Sequence, residues 1–400
     1  MNVVYEACAG LDVHKRTVVG CAIVTGAGGP WRKERRTFST MTADLVRLRQ
    51  WLTELGVTQV AMESPASYWK PVYNILEGHW EVLVVNAQHL QAVPGRKTDR
   101  KEAEWIADLL QHGLRRPSFV PPAPQRELGE LTRYRLRLGE ERARLINRLQ
   151  KTLEDANLKL ASVVSDGMGT CASDLLTALL AGEGDPAVVA ELARGRMRSK
   201  GELLSQALPG HLTPQHRFLL SEQLADMTAV HEAIARLSRE IAVRVHPYEQ
   251  QVQRLATIPG IKRRLAAVLL AEIGPDVRRF PDARHLASWA GLSPGNNASA
   301  GKRLSGRTRK GSPWLRSALG EAAHAAIHAK DCYLAAQYQP LVLRRGGKQA
   351  TMAVAHTLLV RLYHLLAHDQ DYHELGGNYF DELDRHAVHK RLVRRLERLG

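Results

Sequence analysis

The N-terminal part of the chain alternates short apolar runs with amphipathic stretches, a pattern typical of a sheet with helices packed on its faces. Helical spacing predicts helices over 43–55 and 68–76. Apolar and β-branched runs bounded by turn residues predict strands over 7–11, 17–25, 31–38, 57–62 and 81–85. The order β-β-β-α-β-α-β, followed by a further helix, predicts a mixed α/β sheet.

That further helix carries two acids at its start. The run from Asp99 to Leu110 has helical spacing and an apolar stripe, and Asp99 and Glu102 lie three residues apart on one face. Two isolated acids upstream, Asp12 and Glu63, end strand-like runs, and the carboxyl ends of strands are where such sheets place their sites. Four convergent carboxylates predict a divalent-metal site for phosphate chemistry.

Composition narrows the class of partner. The 400 residues carry 56 Lys and Arg against 41 Asp and Glu, a formal net charge of +15. Such a balance favours a polyanion, and nucleic acid is the expected partner. No apolar run approaches the length that spans a bilayer, and the N-terminus lacks a signal-peptide pattern, so we expect a cytoplasmic protein. The four cysteines show no Cys-x-x-Cys spacing and are expected to be reduced and buried.

A proline-rich segment over 117–124 predicts a linker that ends the first domain. The Leu-rich, mixed-charge stretch over 125–160 predicts a long helix, and a second helical stretch covers 222–245, with shorter helices between them. A plain helical spacer and a dimerising coiled-coil arm remain equally open, because strict heptads are not sustained.

The C-terminal part contains two candidate phosphate-binding elements. Residues 255–273 resemble a helix-hairpin-helix, whose turn offers backbone N–H groups to phosphate, although Lys262 stands where the second turn glycine is usual. Lys262 and Arg263 are therefore candidate backbone contacts, with a simple helix N-terminus as the alternative. A Gly- and Ser-rich loop follows, and Ser312 is expected to cap the next helix. This cationic loop either attacks a phosphodiester through a serine or only binds phosphate, through Lys302, Arg303, Arg307, Arg309 and Lys310.

The strand order with its placed acids resembles the ribonuclease-H-like nucleases. Actin-like sugar kinases share the opening strands, but their phosphate turn needs small residues where this chain has Val13-His14-Lys15. The whole chain resembles the insertion-sequence transposases with an Asp-Glu-Asp-Asp, RuvC-like N-terminal domain. The segments that carry the resemblance are 10–15, 62–65, 97–107, 290–294 and 299–302, in the family's order.

The resemblance implies three domains: an RNase H-like (RuvC-like) metal-binding domain over 1–120, a helical coiled-coil region over 121–250, and a mainly helical C-terminal transposase domain over 251–400. Asp12, Glu63 and Asp99 match the first three acids of the family, whereas Glu102 stands where an Asp is usual. Ser299, directly before Ala300-Gly301-Lys302, matches the family's catalytic serine.

The implied activity is excision and insertion of a mobile element by metal-assisted transesterification through a phosphoserine–DNA intermediate, with Mg²⁺ or Mn²⁺ as the metal. The implied partners are DNA and, as in some members, a structured noncoding guide RNA. We expect a homo-oligomer, a dimer or a tetramer, in the bacterial cytosol near the nucleoid. Two alternatives remain: a RuvC-like metal-dependent nuclease selective for DNA structure, in which Ser299 only contacts phosphate, and an inactive nucleic-acid-binding remnant of a transposase.

Overall fold

The structure, a computed structural model, describes residues 3–25, 31–63, 67–85, 102–113, 119–164, 170–182, 185–293, 297–299, 302–305, 308, 311–383 and 385–397. Contacts divide the chain into two compact units, Met1–Pro121 and Pro122–Gly400. Each unit has hydrophobic clusters of its own. The domain boundaries that the sequence predicts at residues 120 and 250 stay predictions.

The first unit alternates strands and helices as the sequence predicts. Its elements are β1 (Ala7–Val13), β2 (Thr17–Thr25), β3 (Trp31–Ser39), α1 (Thr42–Glu54), β4 (Gln59–Glu63), α2 (Trp69–Leu76), β5 (Glu81–Val85) and α3 (Glu102–Gln111). The strands and helices predicted before residue 86 are confirmed. The helix predicted from Asp99 is described from Glu102 onward, and Asp99 itself lies outside the described residues.

The five strands form one mixed sheet in the order β3-β2-β1-β4-β5. β2 pairs antiparallel with both β1 and β3, whereas β4 pairs parallel with both β1 and β5. Because β1 and β4 run in the same direction side by side, their carboxyl ends meet at one end of the sheet. The predicted mixed α/β sheet is confirmed.

Side chains alternate along β1 between two cores, one on each face of the sheet. Leu11 belongs to the cluster built with α1 and α2, which includes Leu48. Cys8 belongs to the other cluster, where it packs with Ile106 and Ala107 of α3. The strand is therefore buried on both faces, which explains why its sequence is an almost unbroken apolar run.

Among the described residues, the second unit is helical apart from the short strands β6 (Asn297–Ser299) and β7 (Lys302–Ser305), which pair antiparallel. Its helices are α4 (Ala123–Asp155), α5 (Leu160–Val163), α6 (Thr170–Leu180), α7 (Pro186–Glu191), α8 (Gly201–Ala207), α9 (Pro214–Val245), α10 (Glu249–Ala256), α11 (Arg263–Ile273), α12 (Ala283–Trp289), α13 (Pro313–Ala326), α14 (Tyr333–Arg345), α15 (Gly347–His368), α16 (Tyr379–Leu383) and α17 (Arg385–Glu397), with 3₁₀ turns at Gly195–Lys200 and His246–Tyr248. The mostly helical character predicted for this part is confirmed.

The two long helices α4 and α9 pack along each other and connect two cores. Leu153 and Leu220 belong to a smaller cluster built with α5 to α8. Leu128 and Ile241 belong to the large core of α10 to α15. The long helices predicted from the sequence are confirmed, and dimerisation through them stays a prediction.

Helix α15 has 22 residues and is long and apolar enough to cross a membrane, so the expectation that no run approaches that length was wrong. Half of its most apolar stretch is buried inside the unit. Leu358, Leu359 and Leu362 are fully buried in the large core. The apolar composition is thus that of a core helix, and no membrane protein is indicated.

Candidate functional site

Asp12 and Glu63 close two neighbouring parallel strands at the same end of the sheet. Asp12 stands one residue before the end of β1, Glu63 is the last residue of β4, and the two are direct partners in the strand register. Neighbouring strands lie about 4.8 Å apart. The two residues are 3% and 9% exposed. Two buried carboxylates placed side by side favour a cation or proton between them, because burial and like charge both disfavour the ionised pair.

These acids lie on the side of the sheet that α3 covers. The Cys8 thiol donates a hydrogen bond to the Ala107 carbonyl oxygen at 3.6 Å. At Gly10, two residues further along β1, a Cβ would lie only 2.3 Å from the Ala103 carbonyl oxygen, so that α3 approaches the strand as closely as glycine allows. Two residues of β1 cover about the same distance as one turn of α3. Because α3 runs in the opposite direction to β1, the same spacing places Asp12, two residues after Gly10, towards the N-terminal end of that helix.

Glu102 is the first residue of α3 and is half-buried. The direction of α3 carries it towards the end of β1 that holds Asp12. Within the described part of the chain, no three His, Cys, Asp or Glu side chains are grouped closely enough to hold a metal ion. The structure therefore brings Asp12 and Glu63 together, leaves Glu102 outside a group of three, and does not describe Asp99.

The donor set fits a hard divalent cation. All the predicted ligands are carboxylates, and oxygen ligands suit Mg²⁺ and Mn²⁺ rather than the softer transition metals. His14 lies beside this set, with Nε2 3.1 Å from Asp12 Oδ2, and its side chain is 53% exposed. The hydrogen bond to one oxygen of Asp12 restricts the rotation of that carboxylate.

Ion pairs hold α3 against the edge strand β3. The Lys33 ammonium lies 3.0 Å from Glu104 and 2.8 Å from Asp108, both on the outer part of α3. Burial alone lowers the pKa of Lys33, but the hydrogen bonds that its ammonium donates to Asp108 and Glu104 outweigh burial and raise the pKa. Asp108 is thus engaged with Lys33 of β3.

The predicted nucleophile Ser299 is the last residue of β6, and its backbone pairs with that of Lys302 in β7. The Gly- and Ser-rich composition predicts a loop here, whereas the structure pairs Ser299 with Lys302, on either side of positions 300 and 301. A separation of two residues suits a hairpin. Side chains are not described for Ser299, Lys302 and Arg303, and the remaining candidates lie outside the described residues: Arg307, Arg309 and Lys310.

The segment that contains this hairpin is anchored where it meets α13. A Cβ at Gly311 would lie 2.3 Å from the Ala290 carbonyl oxygen, so the chain returns directly onto the end of α12. The Ser312 hydroxyl donates to Glu272 Oε2 at 2.9 Å and accepts the N–H of Leu315 at 3.3 Å. The helix cap predicted at Ser312 is confirmed.

Glu272 is a buried acid that is not among the predicted site residues. It is 4% exposed, and its carboxylate accepts hydrogen bonds from Nε of Arg133 at 2.7 Å and from Nη2 of Arg133 at 3.0 Å. Such two-point pairing fixes the carboxylate in one orientation. A signal was present in the sequence, because Glu272 is the single acid in the otherwise apolar run from Leu265 to Ile273.

The hairpin-like turn between α10 and α11 packs inside its own unit. Gly260 has φ +86°, and a Cβ there would lie 2.4 Å from the Ala322 carbonyl oxygen of α13. Lys262 is exposed at the start of α11. The Arg263 guanidinium lies 2.7 Å from Glu249, and this hydrogen bond raises the pKa of Arg263. Of the two predicted phosphate contacts, the structure leaves Lys262 towards solvent and pairs Arg263 with an acid.

Comparison with known proteins adds two family matches. Residues 9–158 match the model of the DEDD transposases of IS110, and residues 252–339 match the model of the transposase IS116/IS110/IS902 family. The first match spans nearly all of the sheet, α3 and the whole of α4, and the second spans the helix-hairpin-helix-like turn, the hairpin and α13.

Several curated proteins are similar to the chain. The uncharacterized 43.6 kDa protein of insertion element IS110 from Streptomyces coelicolor is 31% identical over 263 residues, 59% of this chain and 62% of the relative. The putative transposase y4pF/y4sB from Sinorhizobium fredii is 31% identical over 143 residues, 34% of this chain and 37% of the relative. The putative transposase of the mini-circle IS117 from Streptomyces coelicolor is 49% identical over 53 residues, 13% of each chain.

The chain matches less than two thirds of the length of each of these relatives. The sheet with its acids is consistent with the RNase H-like domain of the first family model. The two family models together match more than half of the chain, in the N-terminal and C-terminal parts respectively, and the protein belongs to the IS110/IS116 family of transposases.

Proposed function

We propose that the protein is a DNA transposase that excises and inserts an insertion-sequence element by transesterification through a covalent phosphoserine–DNA intermediate. The observation that carries the proposal is the juxtaposition of the buried carboxylates of Asp12 and Glu63 at the end of two parallel strands, inside the segment that matches the DEDD transposases. Two neighbouring carboxylates offer oxygen ligands of the kind that divalent cations prefer, which supports the proposal.

In this proposal Asp12, Glu63, Asp99 and Glu102 hold Mg²⁺ or Mn²⁺, which neutralises negative charge that develops at a scissile phosphate. The support is the all-carboxylate donor set and the close packing of α3 on β1 at Gly10, two residues before Asp12. Glu102 carries one methylene more than the Asp of the family pattern, which lengthens its reach from the first turn of α3. His14 keeps the Asp12 carboxylate in a fixed orientation through its hydrogen bond.

The nucleophile of the proposed reaction is the Ser299 hydroxyl. Its oxygen forms a bond to phosphorus, the bond from phosphorus to a deoxyribose oxygen breaks, and that oxygen takes up a proton. A second deoxyribose hydroxyl then attacks the phosphoserine and releases the serine, so that the number of phosphodiester bonds is conserved. Lys302, Arg303, Arg307, Arg309 and Lys310 are the proposed contacts to the phosphates around this point.

The proposed partners are the element ends, the target DNA and a structured guide RNA encoded by the element. The net charge of +15 supports polyanionic partners. Because no base-reading motif is visible in the sequence, target choice is assigned to the guide RNA. We further propose a homo-oligomer, in which the metal-binding unit and the serine unit cooperate.

The proposal is tested with purified protein incubated with element-end DNA, the flanking noncoding RNA and Mg²⁺, followed by denaturing gel analysis of protein–DNA adducts. We expect an adduct with the unaltered protein and none with Ser299→Ala or Asp99→Ala, because one variant lacks the attacking oxygen and the other a ligand. Ser305→Ala, on the paired strand of the same hairpin, is the matched control and is expected to keep the adduct.

Cleavage that needs Asp99 but persists in Ser299→Ala without any adduct contradicts the serine mechanism and indicates a RuvC-like nuclease. Binding of DNA with no cleavage at any Mg²⁺ concentration contradicts both the transposase and the nuclease hypotheses, and indicates an inactive nucleic-acid-binding remnant.

A further inference from the structure

A pocket outside the proposed catalytic residues lies between α4, α9 and α11 in the second unit. Its volume is about 200 Å³. An apolar cavity of about 150 Å³ accommodates one benzene ring, so this pocket has room for a single aromatic ring system. Its wall is largely apolar and includes Leu136, Ile241, Val245 and Val268. The same pocket is lined by three arginines, Arg135, Arg263 and Arg264.

Arg135 is held in a fixed orientation. Its Nε donates to the Ser238 hydroxyl at 2.8 Å, and that hydroxyl donates in turn to the Ile234 carbonyl oxygen at 2.6 Å. Because Nε is engaged on one side, the two terminal nitrogens of the guanidinium remain as a fork. A planar fork of this kind matches the two oxygens of a phosphate group.

The charges around the pocket are unevenly compensated. Arg263 pairs with Glu249, and Arg264 pairs with Glu321. For Arg135, no carboxylate lies within ion-pair distance among the residues that the structure describes, and its one side-chain hydrogen bond goes to a hydroxyl. Burial, followed by the nearby Arg264, lowers the pKa of Arg135, and the charge of Glu321 opposes this shift without reversing it. Among the described residues, Arg135 is therefore the one guanidinium of this lining without an ion-pair partner, because Glu321 is engaged with Arg264, and an anion in the pocket would stabilise its burial.

We infer that this pocket binds one unstacked nucleotide of a single-stranded nucleic acid, with the base against the apolar wall and the phosphodiester on Arg135. The inference rests on the proposed function, in which the partners are nucleic acids. A phosphodiester carries a single negative charge, which matches the one guanidinium of the lining that has no ion-pair partner in the described part of the chain. Single strands are bound through splayed bases and backbone phosphates in this combination of apolar and cationic surface. DNA and RNA share this chemistry.

The first test is the binding of labelled oligothymidylate and oligouridylate to the full-length protein, measured by fluorescence anisotropy. Arg135→Gln is expected to weaken binding about tenfold, the size of one charge-assisted two-point contact to phosphate. Arg239→Gln is the matched control, because it removes the same charge from an exposed residue of α9 that does not line the pocket. We expect Arg239→Gln to change affinity less than threefold, roughly the effect of one lost surface charge.

The second test separates the base from the phosphate. Ala242 lines the pocket and is exposed, so Ala242→Leu fills the space without changing charge. The unaltered protein is expected to prefer an intact strand over an abasic strand of the same length, and Ala242→Leu is expected to abolish that preference. Ala235→Leu, at another exposed position of α9 outside the pocket lining, is expected to keep it.

The source of the strand follows from which probe shows the larger effect of Arg135→Gln, DNA or RNA. Equal losses of affinity in Arg135→Gln and Arg239→Gln would contradict nucleotide binding in the pocket but not the proposed function. A preference for the intact strand that survives Ala242→Leu would do the same. Failure of the unaltered protein to bind either probe or duplex element-end DNA overturns the proposed function, and the pocket with it.

Discussion

The two units each bury carboxylates, but they surround them in opposite ways. In the first unit, Asp12 and Glu63 are neighbours in register, so that two like charges are placed side by side. In the second unit, Glu272 is placed opposite a guanidinium, with Arg133 on both of its oxygens and Ser312 on one of them. The Glu272 carboxylate therefore faces a guanidinium on both of its oxygens, whereas the acid pair places two carboxylates next to each other, with the His14 imidazole 3.1 Å from Asp12.

This difference separates a structural acid from a functional one by arrangement rather than by burial. Glu272 and Asp12 are almost equally buried, at 4% and 3% exposed. A buried carboxylate with an arginine partner fixes the geometry around it, here the start of α13. Two neighbouring carboxylates repel each other when both are ionised, and a divalent cation bound between them would relieve this repulsion.

The largest effect is expected from neutralising the acid pair. Asp12→Asn and Glu63→Gln should each lower the rate of DNA cleavage about a thousandfold, because a lost metal ligand removes several kcal/mol of charge stabilisation at the scissile phosphate. The same variants should be as stable as the unaltered protein in the absence of metal, or more stable, because the like-charge repulsion is relieved. Cleavage assays and denaturant unfolding with a chelator measure the two effects.

Glu54→Gln provides the matched control for Glu63→Gln, since Glu54 is an exposed acid at the end of α1. It should change neither the cleavage rate nor the calorimetric affinity for Mg²⁺. Clear destabilisation of metal-free protein by Asp12→Asn and Glu63→Gln would show that these acids are structural, and would remove the distinction drawn between the two units.

The first unit could be predicted from the sequence because its periodicity is local. The strands that end at Asp12 and Glu63 are apolar runs closed by an acid, and their order constrains which strands run parallel. That Asp12 lies directly opposite Glu63 could not be predicted, because this depends on the register between β1 and β4, and neither apolar run determines that register.

The second unit was predicted less well because its informative contacts are distant in the sequence. Arg133 reaches Glu272, and Arg135 shares a pocket with Arg263, through the packing of α4 on α11. A helical stripe shows which side is apolar but not which helix will cover it. The hairpin of β6 and β7 was missed because its strands are short and its composition is that of a loop.

The second prediction concerns the compensated acid. Glu272→Gln should lower the free energy of unfolding by about 3 kcal/mol, the lower end of the cost of breaking a buried ion pair, because Arg133 is partly exposed. Glu321→Gln, which breaks the exposed pair with Arg264, should cost less than about 1 kcal/mol. Denaturant unfolding measures the loss of stability in both variants. Equal losses in Glu272→Gln and Glu321→Gln would show that Glu272 stabilises the fold no more than a surface acid does.

The smallest expected effect tests whether the α3 side of the sheet, where Asp12 and Glu63 lie, disfavours charge. Cys21 lies on this side, 1% exposed, and burial, followed by the charge of Glu104, raises the pKa of its thiol from 9.0 to about 11. Between these two pH values the folded thiol keeps its proton while the unfolded thiol loses it. The unfolded state then binds fewer protons, so stability falls as the pH rises through this window.

Cys21→Ala should therefore reduce the loss of stability between pH 8 and pH 11 by about 2 kcal/mol, measured by denaturant unfolding at a series of pH values. The thiol of the unaltered protein should also react slowly with iodoacetamide at pH 8, because the protonated form is a poor nucleophile. An identical pH dependence in Cys21→Ala would show that a charge is tolerated on this side of the sheet. The acid pair would then need no cation to be stable, and its contrast with Glu272 would rest on activity alone.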